Sequence, residues 1–169
     1  MSTDSGIATL RPDGVFLFAG RSYRAAHGRA GVRTEKSEGD FATPIGLLPL
    51  RRVLYRADRV AIPRAVVPRE PIAPTDGWCD DPADPAYNRM VGLPYPARHE
   101  ELWRADGVYD IIGVLGWNDD PPRPGRGSAI FLHVATADFA PTAGCIALAL
   151  PDLREVLANG LGFVAVAAG

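Results

Sequence analysis

The sequence predicts a mainly β fold of the α+β class, a single domain over residues 1–169, with one clear helix near the C-terminus and a long Pro-rich excursion. Three observations predict it. Short apolar runs bounded by Gly, Pro or Asp recur along the chain, as strands separated by turns do. Only one segment opens with a strong helix-start signal, the pair Pro151-Asp152. From residue 57 to residue 107 no helical or alternating period holds, and Pro, Asp and Arg dominate.

The elements follow in order. Ile7–Leu10 and Val15–Phe18 are apolar runs joined by Arg11-Pro12-Asp13-Gly14, a turn-forming cluster, so a β-hairpin opens the fold. Ser22–His27 reads as a third strand, and the Gly-rich, charged stretch from Gly28 to Asp40 as a loop of the kind that borders sites. Leu47–Arg56 reads as a strand. The excursion then runs from Ala57 through Arg98 towards residue 107; a stretch well beyond roughly 15 residues without regular structure is usually a lid or a linker. Trp78, Tyr87 and Tyr95 favour an ordered segment, and its length and lack of period favour a cover over a cleft instead of a structural layer. Val108–Gly116 and Ala129–Ala135 are aliphatic runs suited to buried strands, and Cys145–Leu150 is a third. Pro fits the first helical position and Asp152 suits the helix dipole, so the helix starts there and ends near Asn159-Gly160. Phe163–Val166 closes the chain.

Composition excludes several function classes. The balance of 18 basic against 20 acidic residues gives a net charge of −2, which offers no global field for a nucleic acid backbone. No apolar run approaches bilayer-spanning length, so no membrane insertion is expected. The first residues, Met1 to Gly6, show neither the basic nor the apolar region of a signal peptide. Oligomeric state is not encoded in any visible pattern.

The chemistry lies in two residues. His133 ends the run Phe131-Leu132-His133-Val134, and Cys145 begins the next element after a short loop, which brings two strand ends together. A thiol attacks as thiolate, and an adjacent imidazole lowers its pKa and later protonates the leaving amine. Gly144 removes side-chain bulk where a carbonyl must approach, and backbone amides at this turn can hold an oxyanion. The competing reading is structural, since a cysteine in Cys-Ile-Ala-Leu is commonly a small buried hydrophobe. Cys79 is the rival nucleophile, but Asp80 and Asp81 follow it and raise a thiol pKa. A Cys79–Cys145 disulfide stays open at this level, and a zinc site from these residues lacks any close-spaced ligand pair. Asp119-Asp120 before Pro121-Pro122 reads as a solvated turn, not as a catalytic carboxylate pair.

The segment from His133 to Leu148, with Thr142-Ala143-Gly144-Cys145-Ile146, resembles the active-site signature of L,D-transpeptidases of the YkuD type, in which a His is followed by a loop and then by Ser/Thr-His-Gly-Cys. Gly39-Asp40-Phe41-Ala42-Thr43-Pro44-Ile45-Gly46 resembles the Thr-Pro-x-Gly turn that these domains carry upstream. The resemblance covers roughly Ile7 to the end. Two departures stand out. Ala143 occupies the place of a second histidine, and Ala147 that of an Arg or Asn. The segments Trp78-Cys79-Asp80-Asp81-Pro82, Tyr87-Asn88-Arg89 and Gly116-Trp117-Asn118-Asp119-Asp120 mark a divergent subfamily.

The resemblance implies a β-sandwich or barrel-like catalytic domain with the cysteine at the mouth of a cleft. Its substrates would be peptidoglycan stem peptides, cleaved between the L-centre of diaminopimelate and a terminal D-residue through a Cys145 thioester. An amine would resolve the thioester to a cross-link, or water would give carboxypeptidase activity, with no cofactor and no metal. The alternative among enzymes is an L,D-carboxypeptidase or amidase acting on muropeptides, and the alternative from another class is a catalytically silent domain that binds peptidoglycan or a protein partner. Thr142, Tyr87, Arg89, Asn118 and Arg126 are the candidate substrate-binding residues, with Arg89 foremost as a bidentate carboxylate partner. The implied compartment is the periplasm or cell envelope; the absence of a visible signal peptide keeps the cytoplasm as the alternative.

Overall fold

A computed structural model describes residues 6–169. The stretch read for an export signal lies, but for Gly6, outside the described residues. Strands β1 (Ile7–Leu10), β2 (Val15–Phe18) and β3 (Arg21–Ala26) form an antiparallel meander, with Arg11–Gly14 as the first turn. Two-residue strands β4 (Val32–Arg33) and β5 (Thr43–Pro44) pair across the Gly-rich loop, and β6 (Gly46–Tyr55) is the longest strand. Later come β11 (Ile111–Leu115), β12 (Phe131–Val134), β13 (Ile146–Leu148), α1 (Leu150–Ala158) and β14 (Phe163–Val166).

Eight of these strands close on themselves. The ladder runs β11-β12-β13-β3-β2-β1-β14-β6, and β6 pairs back onto β11, so the sheet is barrel-like. The long β6 makes closure possible by changing partners. Its first residues pair with β14 and its later ones with β11, and beyond β14 its open edge takes up β7 (Arg69–Pro71).

Side chains alternate across the wall, as the two-residue strand period requires. Val53, Ile111, Leu132, Ile146 and Leu148 point inward to one core, which α1 joins through Leu153, Val156 and Leu157. Those three helical residues fall on one face at spacings of three and four. Pro151 sits in the first helical turn and Asp152 is its acid, while the N-cap Ala149 makes no side-chain bond. The neighbouring positions Leu54, Ile112, Val114 and Phe131 point outward into a second core. With both faces covered, β11 is buried throughout, which is why its sequence shows no alternation.

The second core corrects the expectation for the excursion. Residues 57–107 hold β7 and a three-stranded sheet in the order β10 (His99–Glu101), β8 (Asp76–Cys79), β9 (Met90–Gly92). Ile72, Trp78 and Leu102 from this segment, with Tyr109 just after it, pack on Phe131 and Ile112. Trp78 meets Phe131 edge-on at 5.1 Å between ring centroids, and Tyr109 does so at 5.8 Å. The excursion is therefore a structural layer that also walls the cleft. Strands of three or four residues are too short to display an alternating pattern, so the sequence hides them.

Candidate active site

Parallel pairing of β12 and β13 sets the site. Leu132 lies opposite Ile146 and His133 opposite Ala147. Cys145, two positions before Ala147, shares the outward face with it, so the thiol and the imidazole are diagonal neighbours on adjacent strands. Both line a cleft of about 400 Å3 between the barrel wall and the excursion.

His133 is 8 % exposed, and its Nδ1 lies 2.9 Å from the Val134 carbonyl. A carbonyl only accepts, so Nδ1 carries the proton and Nε2 is left as the basic nitrogen. Tyr109 packs edge-on against the ring at 5.4 Å and fixes its plane. Burial, and then the Arg104 charge, lower the imidazole pKa below the ordinary value, against the opposing Val134 carbonyl and Asp106. His133 is thus neutral at neutral pH.

The Cys145 sulfur does not bond to the imidazole. It donates to the Ala129 carbonyl at 3.1 Å and accepts from the Phe131 N–H at 3.4 Å. Burial pushes the thiol up to about 12 and the Glu100 charge adds to this, while the Phe131 N–H and the Lys36 ammonium oppose it. Cys145 rests as a protonated thiol, not as the low-pKa thiolate that neighbouring strand ends suggest in sequence. A neutral thiol beside a neutral imidazole still supports general-base attack, once the sulfur turns from Ala129 towards Nε2.

The turn before Cys145 is held from both sides. Gly144 has φ +138°, and a Cβ there would stand 2.8 Å from the Ala42 carbonyl, so a side chain is excluded. Its carbonyl accepts from the Thr43 hydroxyl at 2.8 Å, and that hydroxyl accepts from Gly28 N–H at 2.9 Å. Thr142 uses its hydroxyl internally, donating to the Cys145 carbonyl at 2.6 Å and accepting from Gly144 N–H at 3.1 Å. It lines the cleft while shaping the turn.

The other expected substrate contacts lie elsewhere. Arg89 lines a separate cavity of about 390 Å3 with Arg51, Arg52 and Trp78. Asn118 and Arg126 line a third, beside Trp117 and Arg123. Asn118 closes its own loop, donating to the Arg123 and Gly127 carbonyls and accepting from Arg123 N–H. Tyr87 is buried; its hydroxyl donates to Glu38 at 2.7 Å and accepts from Gly127 N–H at 3.0 Å. It sets Glu38 in the cleft wall without reaching the cleft itself. Asp119 pairs with Arg51 and not with Asp120.

Cys79 is buried and, like Cys145, a free thiol. Burial first, and then the charges of Asp84 and Asp81, raise its pKa. Of the two neighbours that the sequence argument invokes, Asp81 contributes, whereas Asp84 takes the place given to Asp80 and burial is the larger cause.

Several residues of the cleft were not legible. Arg104 is its one lining cation among the described residues, paired with Asp106 and standing 5.3 Å from the Tyr109 ring centroid. Glu38, Asp80 and Glu100 complete an acidic wall, with Tyr109 hydroxyl bonded to Glu100. These come from loops and three-residue strands whose sequence carries no period. Lys36, the only lysine, lies behind the Gly144 turn in a buried ion pair with Asp40. Its isolation among seventeen arginines is a signal the sequence does offer.

The chain matches the family described as YkuD, L,D-transpeptidase catalytic domain, over residues 13–162. No match is found among the curated proteins. The matched span includes the Thr43 turn, the β12–β13 pair and the cleft, and the closed mainly β architecture agrees with it. The chain belongs to the YkuD family of L,D-transpeptidase catalytic domains.

Proposed function

We propose that this protein is a cysteine-dependent acyl transferase acting on peptidoglycan stem peptides. The observation that carries the reading is the placement of Cys145 and a neutral His133, with Nε2 free to accept a proton, on one face of adjacent strands in a single cleft. In the first step the Cys145 sulfur attacks the amide carbon on the L-centre of the diaminopimelate residue as its proton passes to His133 Nε2. The tetrahedral intermediate collapses, the amide C–N bond breaks, and His133 returns the proton to the departing amine of the D-residue. The carbonyl is left as a thioester. In the second step an acceptor amine attacks the thioester, His133 takes its proton, and the thiol is regenerated.

The cleft's charges support transfer over hydrolysis. Asp80 is paired with Arg98 and Asp106 with Arg104, while Glu38 and Glu100 carry no ion pair among the described residues, and this acidic side of the cleft suits an amine-bearing acceptor even though burial raises the pKa of the Glu100 carboxyl. Arg104 is the group suited to a stem carboxylate, in the part that neither Ala147 nor Arg89 plays. Because its substrate is a wall polymer, the proposed place of work is the cell envelope.

The experiment is mass spectrometry of the intact protein after incubation with a carbapenem or a tetrapeptide stem. A mass increase on Cys145 that disappears in Cys145→Ala, with circular dichroism unchanged, is the expected result. An adduct retained in that variant, or no adduct on the native chain, overturns the reading.

A further inference from the structure

Asn88 is a buried hub with all four of its side-chain hydrogen-bonding positions used. Its Oδ1 accepts from Trp78 Nε1 at 3.0 Å and from Ala129 N–H at 3.0 Å. Its Nδ2 donates to the Trp117 and Asn118 carbonyls at 2.9 and 2.8 Å. The residue is 6 % exposed. One side chain thereby ties the excursion sheet, the loop after β11 and the segment leading into β12.

Ala129 is the member that matters for chemistry. It stands at φ 52°, a left-handed conformation that non-glycine residues adopt only when something holds them there. The bond from its N–H to Asn88 holds it there. The same backbone carries the Ala129 carbonyl, which receives the Cys145 thiol proton at 3.1 Å. A hydrogen bond made by the neutral form of an acid opposes its ionisation, so a carbonyl aimed at this sulfur favours thiol over thiolate.

The geometry points to Asn88 as a positioning residue for the nucleophile, acting through the Ala129 carbonyl to hold the resting Cys145 as a thiol bonded to that carbonyl instead of to His133. This rests on the reading of Cys145 as the nucleophile. Attack then requires the sulfur to give up the Ala129 carbonyl and take His133 Nε2 as proton acceptor. Other groups facing the sulfur are Glu100 from β10, Tyr109 before β11, Lys36 behind the turn, and His133 from β12. Asn88 touches none of them, so its effect is separable from theirs.

The test uses the full chain with Cys79→Ser, which leaves one thiol. Alkylation by iodoacetamide is followed against pH in this background and in Asn88→Ala and Asn88→Ser. Folding is checked by circular dichroism. The expected result is a fall of about one pH unit or more in the alkylation midpoint in both variants, hence roughly tenfold faster labelling near neutrality. The infrared S–H stretch of the background protein should lie below that of an unbonded thiol and return towards it in the variants. An unchanged midpoint in a folded variant, an S–H band at the unbonded position, or the unfolding of both variants overturns the proposal. No stem peptide enters these measurements. Failure to form a thioester on peptidoglycan would sink the functional reading and leave this result intact.

Discussion

The Thr43 hydroxyl and the Gly144 carbonyl meet at 2.8 Å across 101 positions of sequence. The bond joins the Thr-Pro turn of β5 to the residue preceding Cys145, so the two segments that carry the family resemblance are tied directly to each other. Thr43 is fully buried and its hydroxyl both donates and accepts. Thr43→Val keeps the shape and leaves two buried backbone groups unpaired, at about 1–3 kcal/mol each. The variant should melt several degrees lower in differential scanning calorimetry and acylate at least tenfold more slowly. Thr43→Ser should restore both. Native-like acylation in Thr43→Val would show that the turn holds without this bond.

The pH dependence of acylation separates two resting states. His133 sits below its ordinary value of 6.5 because of burial, so its basic form persists to lower pH and is lost only as pH falls through that depressed value. Cys145 ionises only at about 12. The rate of carbapenem acylation should therefore rise through a midpoint below 6.5 and stay flat across the neutral and moderately alkaline range. A resting thiolate–imidazolium pair would instead give a bell with a descending limb as the imidazolium deprotonates. Stopped-flow measurement over that range decides between them.

The Lys36–Asp40 pair is a structural wager of a different kind, with side chains 3 % and 5 % exposed. Burial alone would push the Asp40 carboxyl up, but bonds from Lys36 and from the Ser37 and Ala42 N–H groups outweigh it and hold the group below 3.8. A depressed folded value means that the pair's stability is fully present above 3.8 and is lost as pH falls through the lower folded value. Asp40→Asn should cost about 3–5 kcal/mol at neutral pH by stranding the Lys36 ammonium. It should also remove that acid-dependent loss. Equal urea midpoints for the two proteins at neutral pH would count against the argument.

Arg104 and Arg89 make opposite predictions. Arg104→Gln should raise KM for a stem peptide about tenfold or more, as expected on losing a charge-assisted bond. Carbapenem acylation should change far less. Arg89→Lys should leave both unchanged, since Arg89 lines a different cavity. Steady-state kinetics on a synthetic tetrapeptide checks the pair, and a KM effect confined to Arg89→Lys would reverse the assignment.

Most barrel strands were legible because they are apolar runs closed by a turn residue, and β1, β2 and β14 occur at the expected positions, whereas β3 carries Arg21, Ser22 and Arg24 on its exposed side. The helix starts one residue before Pro151, within the usual uncertainty of helix ends. His133 and Cys145 were legible because their strand-end positions survive as sequence spacing, and the family resemblance fixed on them. Arg104, Glu100 and Asn88 were not. Arg104 and Glu100 line the cleft from the excursion and Asn88 bears on it through Ala129, and in that segment three-residue strands and polar loops leave no period to read. Within Tyr87-Asn88-Arg89, attention to charge selects Arg89, whereas burial gives the hub position to Asn88.

Building the cleft on the outside of a closed barrel separates two kinds of evolutionary freedom. Leu132, Ile146 and Leu148 face inward and are constrained by one another, whereas Phe131, His133, Cys145 and Ala147 face the other way. Replacing a residue on the outer row, or reshaping the excursion that walls it, leaves the inner row's neighbours in place. Selectivity in such a domain is free to drift by exchange of its outer wall, at a rate set by that wall and not by the barrel beneath it.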